Sequence, residues 1–285
     1  MTVVSVDELQ RAWNAVKDGQ FRPGDPNFPP RGPARRRTCS SEAQPAWDPG
    51  SPVLPVLGCH GSAGCTTVGV AVATALAQPV RVVESSPAAA SGLAGFATAE
   101  LGQTGTGWVR GRRHQVVLDR LEGGYASPEQ VPVPDNDPPG GPSLNLLDTG
   151  WGLDTIVLSP GWVRATVMDA QALILVTTAT VPGLRRLEGA LRELDPHERR
   201  LAVAVHGPRR RRWRREVASC VGPRTQALLE VALVEVPHDP GLAVRGLDTS
   251  PLPGGVLAAA TTITQLLGLD NSPKPHQKGN TQHVH

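Results

Sequence analysis

The residues whose types and spacing carry the most chemistry are those of VLGCHGSAGCTT, positions 56–67. An apolar run ends in a glycine-bearing turn followed by two threonines, the order in which a phosphate-binding loop opens a helix. In such a loop, backbone N–H groups surround a phosphate, while a lysine and a hydroxyl at its end meet phosphate oxygens and Mg2+. The pattern G-x-x-x-x-G-K-[ST] is half satisfied. Gly61 and Gly64 allow the tight turn, with Ser62 and Ala63 between them, and Thr66, next to Thr67, has the place of the Mg2+-binding hydroxyl. Cys59, however, replaces the first glycine, and Cys65 replaces the lysine. The chain's three lysines are Lys17, Lys274 and Lys278, so none lies between residues 18 and 273 to substitute.

Cys65 invites a second chemistry. A thiol at a helix N-terminus has a lowered pKa and is more reactive, and Cys59 is near enough in sequence to face it across the loop. The alternative is that both are small fillers of a tight turn. A further concentration of chemistry is RRRRWRR, with Arg209, Arg210, Arg211, Arg212, Arg214 and Arg215 around Trp213. Guanidinium groups grip phosphate backbones and an indole stacks on bases, so this run is a candidate nucleic-acid surface. The competing reading is a solvated helix start whose arginines pair with Glu188, Glu193 and Glu216.

These residues must be positioned by the elements between them. From Val53 the chain alternates short apolar runs with helical patterns: 53–58, 80–85, 143–148, 172–178, 200–206 and 231–237 read as strands. Helices are expected at 66–77, 88–101, 181–194 and 252–267, and HQVVLDRL (114–121) reads as an added strand. The Pro/Asp/Gly-rich 126–142 reads as an exposed loop. This alternation predicts an α/β fold, a mostly parallel sheet with helices on both faces. In front of it, residues 1–19 predict an amphipathic helix, with Ser5 and Glu8 as a capping box and Val6, Leu9, Trp13 and Val16 on one face. Residues 20–52, with eight prolines, read as a disordered linker, and the polar 269–285 as a disordered tail. The domain is thus expected over 53–268.

Composition narrows the classes. A formal net charge of +2 over 285 residues gives no global field for nucleic acid, so any basic signal is local. Four cysteines without a CxxC pair, and no signal peptide, point to reduced thiols and a cytoplasmic protein. No run approaches the length of apolar residues that spans a membrane. Arginine in place of lysine, with abundant Ala, Gly and Pro, suggests a GC-rich bacterial genome.

Over residues 53–268 the chain resembles the ParA/MinD family of deviant Walker-A ATPases. Their loop reads G-K-G-G-x-G-K-T-T, against Cys59, His60, Gly61, Ser62, Ala63, Gly64, Cys65, Thr66 and Thr67. VRVVESSP resembles their second strand, with Glu84 and Ser86 in its acidic positions. LNLLDTG resembles the Walker-B strand and makes Asp148 the acid that holds the metal's water shell; a rival placement in DTIVLSP puts Ser159 there. VALVEVPHDPGLAVRGL resembles the segment near the base pocket, with His206 and residues 237–239 in its vicinity. The resemblance implies a P-loop NTPase-like fold binding ATP through Gly61, Ser62, Ala63, Gly64, Cys65, Thr66, Thr67 and His206. It implies Mg2+ at Thr66 and Asp148, with Asp148 and Glu84 as candidate catalytic residues. Both family lysines are missing, as His60 and Cys65, so nucleotide binding is expected to be weak or absent unless an arginine (Arg110, Arg112, Arg113 or the 209–215 run) reaches in. Two functions follow. One is a weak ATPase whose nucleotide controls homodimerisation in DNA or plasmid partition, transfer or positioning. The other is a non-catalytic scaffold that holds non-specific DNA through the arginine run and a partner protein through the N-terminal helix.

Overall fold

The computed structural model describes residues 46–86, 92–104, 107–137, 140–194 and 199–269. The helix expected over 1–19 and the tail after 269 lie outside them. Among the described residues the elements run β1 (Val53–Gly58), α1 (Cys65–Ala75), β2 (Val80–Glu84), α2 (Leu93–Phe96), β3 (Ala99–Thr104), β4 (Trp108–Arg113), β5 (Val116–Leu121) and β6 (Leu144–Asp148). They continue with α3 (Leu153–Leu158), α4 (Trp162–Met168), β7 (Ala172–Thr178), α5 (Val181–Leu194), β8 (Arg200–Gly207), α6 (Arg215–Ala218), α7 (Pro223–Leu228), β9 (Leu233–Pro237), α8 (Pro240–Arg245) and α9 (Gly254–Leu266).

All nine strands form one sheet in the order β3-β4-β5-β2-β6-β1-β7-β8-β9. From β5 to β9 every pairing is parallel, and β3 and β4 add an antiparallel ribbon at one edge. Alternation along the strands assigns the two faces. Leu54, Val56, Val82, Leu146, Ile174, Val176, Ala202 and Ala204 face α1 and α9. Leu57, Val83, Leu147, Leu173, Leu175, Val203 and Val205 face α4 and α5. Each such buried aliphatic side chain contributes about 1.5–3 kcal/mol relative to exposure. α1 is buried without a break from Val68 to Ala73 because the sheet covers one side and α9 the other. Its small residues allow that close double packing, and a one-sided apolar stripe is not needed. α5, by contrast, buries Leu184, Leu187, Leu191 and Leu194 on one stripe and shows its arginines to water.

Four expectations are corrected. The helix read over 88–101 is the short α2 followed by β3, whose Ala99–Thr104 pairs with β4; pairing across the ribbon overrides the helix propensity of Ala, Glu and Leu. The 154–158 stretch is helix α3, not a strand, which removes the rival Walker-B placement. Finally, the end of the 20–52 linker is built into the domain. Trp47 is 7 % exposed and meets Trp162 edge-on at 5.3 Å. The loop expected to be exposed over 126–142 likewise buries Val131, whose carbonyl accepts from the Trp162 indole.

Trp47 also lies under the Arg81 guanidinium, at 5.9 Å from ring to charge. Arg81 is 2 % exposed and reaches Asp119 (Nε to Oδ2, 2.8 Å), Asp137 (3.0 Å) and the Asp135 carbonyl (2.7 Å). Arg110 closes on the other side of Asp119 with two contacts of 2.7 Å. Asp137 in turn accepts from Ser51 and Asn145. This network fastens the linker end, the 133–137 loop and the edge ribbon to β2, near the amino ends of the parallel strands.

Candidate functional site

The parallel register brings Gly58, Glu84, Asp148, Thr178, His206 and Pro237 to the carboxyl edge of the sheet, where open α/β folds place ligands. The loop after β1 spans the middle of that edge. Gly64 has φ +94°, a left-handed conformation that only glycine takes without strain, and Ser62 has φ +57°. Val68 N–H donates to the Gly64 carbonyl at 2.9 Å, starting α1. Among the described residues no backbone carbonyl accepts from Gly61, Ser62, Gly64, Cys65 or Thr66. The spacing predicts a cradle of amides here, and these amides are not tied to backbone carbonyls.

Asp148 ends β6 opposite Val56 and Glu84, and both acids are buried. Neither Asp148 carboxylate oxygen has a partner of full hydrogen-bond geometry, yet Thr66, Cys65 and the Gly150 amide lean towards it. Burial pushes the Asp148 pKa up, and these three donors partly offset it. The Gly150 turn that presents its amide has φ +60°, and a Cβ there would lie 2.1 Å from that of Ser86. Thr66 beside an under-satisfied carboxylate fits a hydrated Mg2+ ion, which takes hydroxyl and carboxylate oxygens through a few direct or water-bridged contacts.

The two substituted positions are turned to other tasks. Cys65 Sγ donates to the Val56 carbonyl at 3.0 Å and lies against Asp148. Burial first, and then the Asp148 charge, hold its thiol well above the ordinary range. Burial alone pushes Cys59 up to about 12. The activated-thiol reading is therefore corrected: burial outweighs the helix N-terminus, and both groups stay as neutral thiols. His60 is tied within its own chain, Nδ1 to the Gly61 carbonyl (2.8 Å) and Nε2 to Thr178 Oγ1 (3.1 Å). Thr67 is half-buried in the first turn of α1.

Of the arginines named as substitutes, three are committed elsewhere. Arg110 pairs with Asp119, Arg112 Nε donates to the His114 carbonyl, and Arg113 donates to the carbonyls of Asp248, Thr249 and Ser250. Three arginines of the 209–215 run line a cleft instead. A cleft of about 830 Å³ at the ends of β7, β8 and β9 is lined by Thr178, His206, Arg209, Arg211, Arg212 and His238, among others. His206 is its common wall with the loop, since a Cβ on Gly64 would lie 2.6 Å from His206 Nε2. That nitrogen is buried without a partner, and burial together with the nearby His238 lowers the His206 pKa. Arg210 faces away, pairing with Glu230 and donating its amide to Glu235. The expected acidic partners are thus corrected: Glu188 is used by Arg224 and Thr225. Trp213 is half-buried and its indole donates to the Pro208 carbonyl at 3.0 Å. Arg214 and Arg215 are exposed.

Sequence reasoning missed Thr178 and Thr180, whereas His238 falls in the 237–239 stretch expected near the base pocket. The available signal was that three successive strands each end in Thr or His at the ligand edge: TTAT, HG and PH.

No family model matches the chain, and no curated protein matches it in sequence. Solved structures do. A MinC:MinD cell division protein complex from Aquifex aeolicus matches with a TM-score of 0.50 and 16% identity, covering 79% of this chain and 98% of that one. The septum site-determining protein MinD complexed with Mg-ADP from Pyrococcus horikoshii OT3 matches with a TM-score of 0.50 and 15% identity, covering 77% and 97%. Among the described residues no helix is long and apolar enough to cross a membrane. With its parallel sheet, its loop between β1 and α1, and its acid on the neighbouring β6, the chain has the ParA/MinD-like P-loop ATPase fold.

Proposed function

We propose that this protein binds ATP with Mg2+ on the loop 61–67, weakly and with little or no hydrolysis, and that it serves in partition, transfer or positioning through nucleotide-dependent association with itself or a partner. The observation that carries this reading is the divided state of the loop. The left-handed turn at Gly64 and Thr66 leaning towards the under-satisfied Asp148 support a phosphate and a metal there, while Cys65 is a partly exposed thiol bonded to Val56. Thr66 and Asp148 would hold the metal, and His206 would flank the nucleotide. A loop without its lysine lacks a charge-assisted contact of about 1.5–3 kcal/mol in the ground state and the cation that stabilises developing phosphoryl charge. That the MinD structure above carries Mg-ADP supports the choice of ligand. Calorimetry with ATP and Mg2+ tests it. Binding weaker than about ten micromolar, a phosphate-release rate near background and about tenfold tighter binding in Cys65→Lys are expected; no binding at millimolar ATP refutes the reading.

The second reading is a platform that holds an acidic surface such as DNA. It is favoured by Arg209, Arg211, Arg212, Arg214 and Arg215 being exposed and, among the described residues, without an ion pair. Its test is DNA affinity that falls steeply with salt, and less steeply after Arg214→Ala/Arg215→Ala; a flat salt response refutes it.

A further inference from the structure

Two arginine-bearing clefts flank the loop. One is the cleft over β7, β8 and β9 described above. The other, about 730 Å³, runs past Cys59, His60 and Gly61 and carries Arg185, Arg186 and Arg192. They differ in charge balance: the second groove is also lined by Asp154 and Glu193, whereas no carboxylate lines the first. The first also shares a wall with the loop at His206, whose unpartnered Nε2 is aimed at Gly64. At its other end Thr178 is bonded to His60, the residue in the family's signature-lysine position. Arg209, Arg211 and Arg212, which make no ion pair among the described residues, therefore line a cleft whose His206 wall touches a loop without its lysine, while Arg81, Arg110 and Arg113 are consumed by the interior.

We propose that Arg209, Arg211 and Arg212 supply the positive charge that the loop lacks, meeting the phosphate oxygens of the nucleotide held on residues 61–66. This rests on the nucleotide reading above. A guanidinium presents a fork that takes two phosphate oxygens at once, and its charge persists at any physiological pH. The arginine turn Arg210–Arg212 is set by the Arg212 amide donating to the Arg209 carbonyl (2.7 Å) and by Arg210 anchored on Glu230, which turns its neighbours to the cleft. The ligand is thus a nucleoside polyphosphate gripped from the β8 side, with His206 between the two halves of the site.

The test is calorimetry on the full chain with ATP, inorganic triphosphate and adenosine. Arg211→Ala/Arg212→Ala is expected to weaken ATP and triphosphate by about tenfold to a hundredfold, the size of one or two charge-assisted contacts, and to leave adenosine unchanged. Arg211→Lys/Arg212→Lys recovers part of the loss. Arg185→Ala/Arg186→Ala changes ATP affinity less than threefold. Melting curves confirm that each variant folds. Unchanged ATP affinity in Arg211→Ala/Arg212→Ala overturns the proposal and leaves the nucleotide reading standing. So does an equal loss from Arg185→Ala/Arg186→Ala, or a parallel loss for adenosine. If the unmodified chain binds neither ATP nor triphosphate at millimolar concentration, the nucleotide reading fails first and takes this proposal with it.

Discussion

Replacing Asp119 by alanine should strip a buried cation of its main partner, and the structure sets the size of the loss. Asp119 is fully buried and accepts from two arginines, Arg81 at 2.8 Å, with a further ion-pair contact at 2.6 Å, and Arg110 at 2.7 Å twice. The two will not suffer equally. Arg110 is 23% exposed and can turn to water, whereas Arg81 is 2% exposed and cannot. Leaving a buried charge uncompensated costs about 3–5 kcal/mol. Arg81 keeps Asp137 at 3.0 Å and the Asp135 carbonyl, which places Asp119→Ala near the lower bound, about 3 kcal/mol. That is a large share of a total of roughly 5–15 kcal/mol, and for a domain of this size it lowers Tm by about 6–12 °C. Urea unfolding measures it as a lower midpoint at unchanged slope. Arg81→Met with Asp119→Leu should recover at least half, because an apolar pair leaves no orphan charge. A loss below about 1 kcal/mol in Asp119→Ala, or a double variant worse than the single, would refute the reasoning.

The lowered His206 pKa gives a stability term that is present above the ordinary histidine value and lost as pH falls through the folded value, because the unfolded chain takes up the proton first. Thermal melts at pH 7.5 and 5.5 should therefore show a drop that His206→Asn reduces; burial is the larger cause of the shift and His238 the second. Gly150→Ala combines a left-handed φ with a Cβ 2.1 Å from Ser86 Cβ, and should cost about 2–5 kcal/mol in urea unfolding. In a Cys39→Ser/Cys220→Ser background, Cys59 at a pKa of about 12 exposes about one thiolate in ten thousand at pH 8, so thiol titration should run roughly a thousandfold slower than after unfolding.

The parallel core and the loop were readable because they rest on local signals. Short Val- and Leu-rich apolar runs gave the strands, and glycines before a Thr pair gave the turn that the structure realises at Gly64. What could not be read depended on contacts between distant segments. Nothing near 209–215 announces that Glu230 and Glu235, rather than Glu188 or Glu216, will take Arg210, since the strand order decides which acids are adjacent. Trp47 was hidden in a proline-rich stretch whose composition says linker, and it needed Trp162 and Arg81 to become core. The same holds for Cys65. Sequence supplies a helix N-terminus, which lowers a thiol's pKa, but burial between Val56 and Asp148 is a tertiary fact and wins.

The strand order also dictates when the loop can exist during synthesis. β1 lies between β6 and β7, so the strand that carries the loop has no hydrogen-bonded neighbour until residues 144–178 have been made. At roughly 5–20 residues per second this leaves Val53–Gly58 unpaired for on the order of ten seconds. β2 is no earlier help, as its own partners are β5 and β6. An aliphatic strand waiting that long is an invitation to wrong pairing and to chaperones. Expression of this chain should therefore respond more to slower translation downstream of β6, or to co-expressed holdases, than to any change in the loop itself.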